Sequence, residues 1–240
     1  MSSRRQNATA WYCLAGACLV VLAASHDNMK QGQRQRALPR NHPKASGYRI
    51  LQSSENASAV EELRQSLLEN YDRFSYPFDR LWTEAVGKGE QRRGLEVQLG
   101  LNFHRVFEVD VSKSVADLIV WVRLVWRDPR LAWDPALYNG TMHMWIDGQA
   151  GGETSEIWTP DIQLWNQERP LDESLADAHA LVSSDGTVFW SRPGHVKAVC
   201  KFEGLNDFPF DSLSCSIELG SWAYSGLYVR PIKLDEGFTI

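Results

Sequence analysis

After residue 25 the chain has no apolar run approaching the roughly 20 residues that a membrane-crossing helix needs, so no such helix is expected there. It also lacks the sequence marks of the common enzyme sites. There is no G-x-S-x-G, no phosphate-cradling P-loop and no H-E-x-x-H. The six histidines, His26, His42, His104, His143, His179 and His195, include no pair at metal-ligand spacing. Solvated or core histidines are the reading they favour over a metal site. No catalytic residue, cofactor or metal is therefore expected, and the chain does not read as an enzyme. An excess of basic residues is missing too: the net charge is −5, where a nucleic-acid-binding domain favours a basic face.

Cysteine is also scarce, and its four positions are informative. Cys13 and Cys18 lie in an apolar run, Trp11 to Ala24, preceded by Arg4 and Arg5 and followed by small residues. A basic start, a short apolar stretch and Ala23-Ala24-Ser25 read as a signal peptide over residues 1–25. Cleavage near Ser25 would leave only Cys200 and Cys215. In an oxidising compartment a disulfide is then the default, with two free buried thiols as the alternative. Residues 26–46 are polar and basic and read as a disordered leader. Asn56-Ala57-Ser58 and Asn139-Gly140-Thr141 are glycosylation sequons.

What is plentiful is aromatic: 11% of the residues, ten of them Trp. Val60, Leu63, Leu67 and Tyr71 recur at helical spacing, predicting one helix over 59–71 with Ser58 as its N-cap and Pro77 as its limit. From Leu95 the period becomes two. Leu95, Val97, Leu99, Leu101 and Phe103 alternate with polar residues, as in a strand with one wet face. The segment Leu118–Trp126 is different, because both of its faces are largely apolar. Trp121 and Arg123, two apart, share the face opposite Val120, Val122, Leu124 and Trp126. That second face needs a cover, by a partner or a ligand. Further strands are expected at 141–146, 180–183, 187–190, 195–202 and 215–219, with Asp185-Gly186 as a hairpin turn. One helix followed by many short strands predicts an all-β fold, a sandwich filling residues 47–240. Alternation assigns Trp126 and Trp158 to its core.

The segment Cys200–Cys215 encloses Phe208-Pro209-Phe210-Asp211. A cysteine-bounded loop with aromatic-Pro-aromatic-Asp resembles the signature loop of the Cys-loop receptors, the pentameric neurotransmitter-gated ion channels. Other blocks are similar in the same order: Trp121-Val122-Arg123-Leu124-Val125-Trp126 to a strand of the binding site, Trp158-Thr159-Pro160-Asp161 to a Trp-x-Pro-Asp motif, and Gly220-Ser221-Trp222-Ala223-Tyr224 to a ligand-facing loop. The likeness covers about residues 59–235. This loop has one residue more than the family's usual one, and Trp165 stands where Tyr is usual.

The resemblance implies an extracellular ligand-binding domain: an immunoglobulin-like Greek-key β-sandwich of about ten strands with an N-terminal α-helix. It implies a small amine or amino-acid transmitter bound between subunits of a pentamer. Trp165, Trp222 and Tyr224 would serve one face of that site. Trp121, Arg123, Leu181, Phe189 and Ser191 would serve the neighbour's face. Phe208, Pro209, Phe210 and Asp211 would couple the domain to a transmembrane domain in the cell membrane. An electron-rich ring cluster suits a cation, and Arg123 suits a carboxylate or an intersubunit ion pair. Two readings of the chain follow: part of a channel subunit, or a secreted ligand-binding protein without a pore. A carbohydrate-binding sandwich is a third, but it leaves the cysteine-bounded loop unexplained.

Overall fold

A computed structural model describes residues 9–14, 17–25, 53–77, 94–149, 154–202 and 212–234, with the backbone alone for 9–14, 17–25, 53–58 and 212. The leader at 26–46 lies outside the described residues. The alternation from Leu95 produces a long strand, β3 (Leu95–Asp110), and the two-faced apolar run produces β4 (Val115–Arg127). They pair antiparallel from Gln98↔Val125 to Asp110↔Val115. Around them lie β5 (His143–Gly148), β7 (Ala178–Ser183), β8 (Thr187–Val199) and β10 (Val229–Lys233). Their order is β10-β3-β4-β8-β7-β5. A second sheet contains β1 (Thr9–Leu14), β2 (Ala17–Ser25), β9 (Ser212–Ser221) and β6 (Ile162–Leu164), in the order β1-β2-β9-β6. The chain is thus an all-β sandwich with an N-terminal helix, as expected.

Inward residues of both sheets make one core. Val97 and Leu99 of β3, Val120, Val122, Leu124 and Trp126 of β4, and Val188 and Trp190 of β8 meet Leu164 of β6 and Ile217 and Leu219 of β9. Each fully buried Val or Leu stabilises the fold by about 1.5–3 kcal/mol. Trp126 and Trp158 are both in this core, their rings 6.3 Å apart and edge to face. The helix, α1 (Ser53–Leu68), docks through fully buried Leu63. It begins earlier than its apolar stripe suggests, so Ser58 lies inside it and is not an N-cap. It also ends at Leu68, well short of Pro77.

The chain after α1 is held by a polar knot. The Tyr71 hydroxyl donates to Asp128 Oδ2 at 2.6 Å and accepts from Arg130 Nη2 at 2.8 Å and the Trp158 backbone N–H at 3.0 Å. Arg130 pairs with fully buried Asp128 at 2.7 Å and donates to the carbonyls of Asp72 and Ser75. Burial, with the Asp128 charge beside it, pushes the Tyr71 phenol well above its usual range.

β8, β6 and β10 differ from expectation. Residues 187–199 form one strand rather than two, even though Pro193-Gly194 stands in the middle. Proline is tolerated because β7 pairs only with positions 188–190, so Pro193 faces no ladder acceptor on that side. The short β6 and the parallel β10 carry no clear alternation and were not foreseen. Within the segment read as a signal peptide, β1 and β2 pair antiparallel, with β2 lying along β9 from Ala17↔Gly220 to Ser25↔Ser212. Cleavage near Ser25 would take this pair away and uncover that edge of β9.

Candidate functional site

The outward face of the six-stranded sheet gathers the first set of site residues. β4 and β8 pair so that Arg123 lies opposite Ser191 and Val125 opposite Phe189, while β7 sets Leu181 opposite Phe189. Cross-strand partners share a face, so Arg123, Ser191, Phe189 and Leu181 form one patch with Trp121 at its end. The Arg123 guanidinium lies 5.9 Å from the Trp121 ring centre, within cation–π range. Its Nε is buried and has no hydrogen-bond partner. A buried guanidinium N–H with nothing to bond is a costly feature, and an incoming acceptor would relieve it. Trp121 is exposed, and Leu181 is buried beneath its neighbours.

Two residues extend this face beyond the sequence reading. The His104 ring packs 4.9 Å from that of Trp121. Trp145 lies opposite Leu181 and is 60% exposed. Its signal was available: in β5, Met144 and Ile146 point inward, so Trp145 between them must point out. At the patch's edge His179 pairs with Asp147.

The second set hangs on the other sheet, and Asp161 organises it. Its carboxylate accepts from Ser221 Oγ at 2.5 Å and from the backbone N–H groups of Trp222 and Ala223 at 3.1 and 2.6 Å. The Ser221 hydroxyl in turn accepts from the Tyr224 N–H. This is the physical content of Trp158-Thr159-Pro160-Asp161: the Trp is core, and the Asp fixes the loop that presents Trp222. With its backbone so held, the Trp222 ring stands 77% exposed. Trp165, also exposed, follows β6, its N–H bonded to the Glu218 carbonyl. β6 pairs with β9 from Ile162↔Ser221 to Leu164↔Leu219, so Trp165 and Trp222 sit at opposite ends of one short ladder. Tyr224 follows on the same loop. Its ring stacks on Tyr76 at 5.2 Å and packs against the core.

The two sets of residues lie on different sheets of the chain.

Cys200 and Cys215 are disulfide-bonded, their Cα atoms 5.2 Å apart. That settles the pair against free thiols. Phe208, Pro209, Phe210 and Asp211 lie outside the described residues. Of the sequons, Asn56 falls within α1, and Asn139 is exposed in a tight turn with φ of 51°. No group of three or more potential metal ligands occurs among the described residues. Nor, among them, is any helix long and apolar enough to cross a membrane.

Residues 60–236 match the neurotransmitter-gated ion-channel ligand binding domain family. Among similar proteins is the acetylcholine receptor subunit beta-like 2 of Drosophila melanogaster, 31% identical over 177 residues, covering 74% of this chain and 31% of that subunit. The neuronal acetylcholine receptor subunit beta-3 of Gallus gallus is 30% identical over 174 residues, covering 71% and 36%. The neuronal acetylcholine receptor subunit alpha-5 of Bos taurus is 28% identical over 180 residues, covering 75% and 34%. The chain thus spans about a third of the length of these relatives. These are receptor subunits rather than enzymes. With its disulfide loop and its helix-capped β-sandwich, the chain belongs to the neurotransmitter-gated ion-channel ligand-binding domain family.

Proposed function

We propose that this chain supplies the extracellular ligand-binding domain of a pentameric ligand-gated channel subunit, and that a small amine or amino-acid transmitter binds between adjacent subunits. The separation of the two half-sites carries this reading. Trp222 and Trp165 are displayed from one sheet, while Trp121, Arg123, Phe189 and Ser191 are displayed from the other. A second copy of the chain that placed its Trp121 face against the Trp222 face would complete an aromatic cage. Trp145 and Trp121 leave that face apolar and exposed, which suits burial against such a neighbour. Residues 1–25 act as the secretion signal in this reading, and Asn56 and Asn139 carry glycans.

Arg123 refines the ligand class. Its unpartnered Nε, with Ser191 directly opposite, favours a ligand that carries a carboxylate as well as an ammonium group. Calorimetric titration of the assembled protein with glycine, GABA, acetylcholine and serotonin tests this. For a zwitterionic ligand, Arg123→Ala should weaken binding by about thirtyfold or more, because it strands a buried carboxylate. A simple amine that binds the variant equally or better would replace the zwitterion with an aminergic ligand. If none of the four binds the unaltered protein, the cage assignment fails.

A further inference from the structure

Between the sheets the core is incomplete. A cavity of about 300 Å³ lies there, with Val122, Leu124 and Trp190 on the side of the six-stranded sheet and Gln163 and Tyr224 on the other. At about 30 Å³ per water, such a space holds a solute on the order of ten heavy atoms.

Arg192 also lines it, and this arginine is only 5% exposed. Its Nε donates to the Ala176 carbonyl at 3.1 Å and its Nη2 to the Leu175 carbonyl at 3.0 Å. Its Nη1 has no hydrogen-bond partner among the described residues. Within 4.0 Å the described carboxylates include only that of Asp177, at 3.9 Å, and this group is largely exposed. A buried cation is stable when paired and fully bonded; Arg192 has the distant Asp177 and the Trp190 ring 4.8 Å away, and keeps one donor nitrogen free for an acceptor in the cavity. Burial accordingly pulls its pKa below the ordinary arginine value. Asp161 also lines the cavity, but its carboxylate is already occupied by the Ser221, Trp222 and Ala223 donors.

The fold holds Arg192 in place at this cavity. A strap that starts with the one-turn α2 (Leu171–Ser174) crosses β8 at Gly194, where a Cβ would meet the Ser174 carbonyl oxygen at 2.3 Å. The Ala176 N–H bonds the Pro193 carbonyl at 2.8 Å. Glycine at 194 is therefore what lets the strap lie against Arg192.

We propose that this cavity binds a small organic carboxylate, with the carboxylate on Arg192 Nη1 and the apolar body against Val122, Leu124 and Trp190. The site lies on the inner face of β4 and β8, opposite the face of Trp121, Arg123 and Ser191, so it does not depend on the interface reading. Its occupant would brace from behind the two strands that display Arg123 and Ser191.

Calorimetric titration of the full secreted chain with benzoate tests the proposal, with uncharged benzamide as the control. Benzoate should saturate one site per chain, and benzamide should bind about tenfold or more weakly. Arg192→Gln should lower benzoate affinity by about tenfold or more. Arg192→Gln also loosens the strap, so Val122→Phe gives a second test: it fills the cavity, leaves Arg192 intact, and should cause a similar loss. Arg123→Ala, on the opposite face, should change benzoate affinity by less than about twofold. The proposal is overturned if benzoate shows no saturable binding up to about 10 mM. It is equally overturned if benzamide binds as well, if Val122→Phe leaves affinity unmoved, or if Arg123→Ala abolishes binding.

Discussion

At Tyr71 a single hydroxyl meets three partners from separate parts of the chain: Asp128, Arg130 and the backbone of Trp158. Tyr71→Phe keeps the ring and leaves the fully buried Asp128 short of a donor. The expected loss is about 1–3 kcal/mol, measured by urea denaturation. The phenol is also a pH probe. Its folded pKa is raised, so the neutral form is favoured, and its contribution is intact below the unfolded value of about 10. Above that pH the unfolded chain ionises first, and stability falls. Tyr71→Phe should therefore lose less stability than the unaltered chain between about pH 8 and pH 11. A second residue-scale prediction concerns Asn139, exposed in its turn. Asn139→Gln should speed the secreted protein's migration on a gel, and glycosidase treatment of the unaltered protein should produce a comparable change.

At the scale of elements, Gly186 closes the β7–β8 turn with φ of 83°, and a Cβ there would meet the Asp128 carbonyl oxygen at 2.5 Å. The Asp185 side chain completes the turn by accepting from the Thr187 N–H and hydroxyl. Gly186→Ala should cost more than about 1 kcal/mol from the backbone conformation alone, seen as a lower melting temperature. This turn was legible because Asp-Gly has a local cause. So were β3 and β4, whose alternation reports burial directly. The strap over β8 was not legible: Pro193-Gly194 reads as a break, and only the tertiary approach of Leu175 shows why glycine stands there. The pairing of β2 with β9 is likewise a long-range contact that no local pattern carries. The packing of Tyr224 on Tyr76 was not legible, because its loop has no alternation of the kind that served for Trp121.

For the whole molecule, the disulfide ties β9 to the end of β8 across the sandwich. Cys200→Ser should sharply reduce secretion, because losing roughly 2–5 kcal/mol approaches the whole stability of a domain. Light scattering of the secreted protein should give the mass of five chains, and a strictly monomeric mass at micromolar concentration would contradict the interface reading. The central claim is that each binding site is shared between two chains, and complementation tests it most directly. Arg123→Ala removes a group from one half-site and Trp222→Ala a group from the other. Assemblies made purely of either variant should bind transmitter weakly. Co-expressed in one assembly, the two variants bring an intact Trp222 face against an intact Arg123 face at some interfaces. The account predicts that radioligand binding returns at those interfaces with the affinity of the unaltered protein. If mixed assemblies bind no better than either variant alone, the site lies within a single chain and the account is wrong.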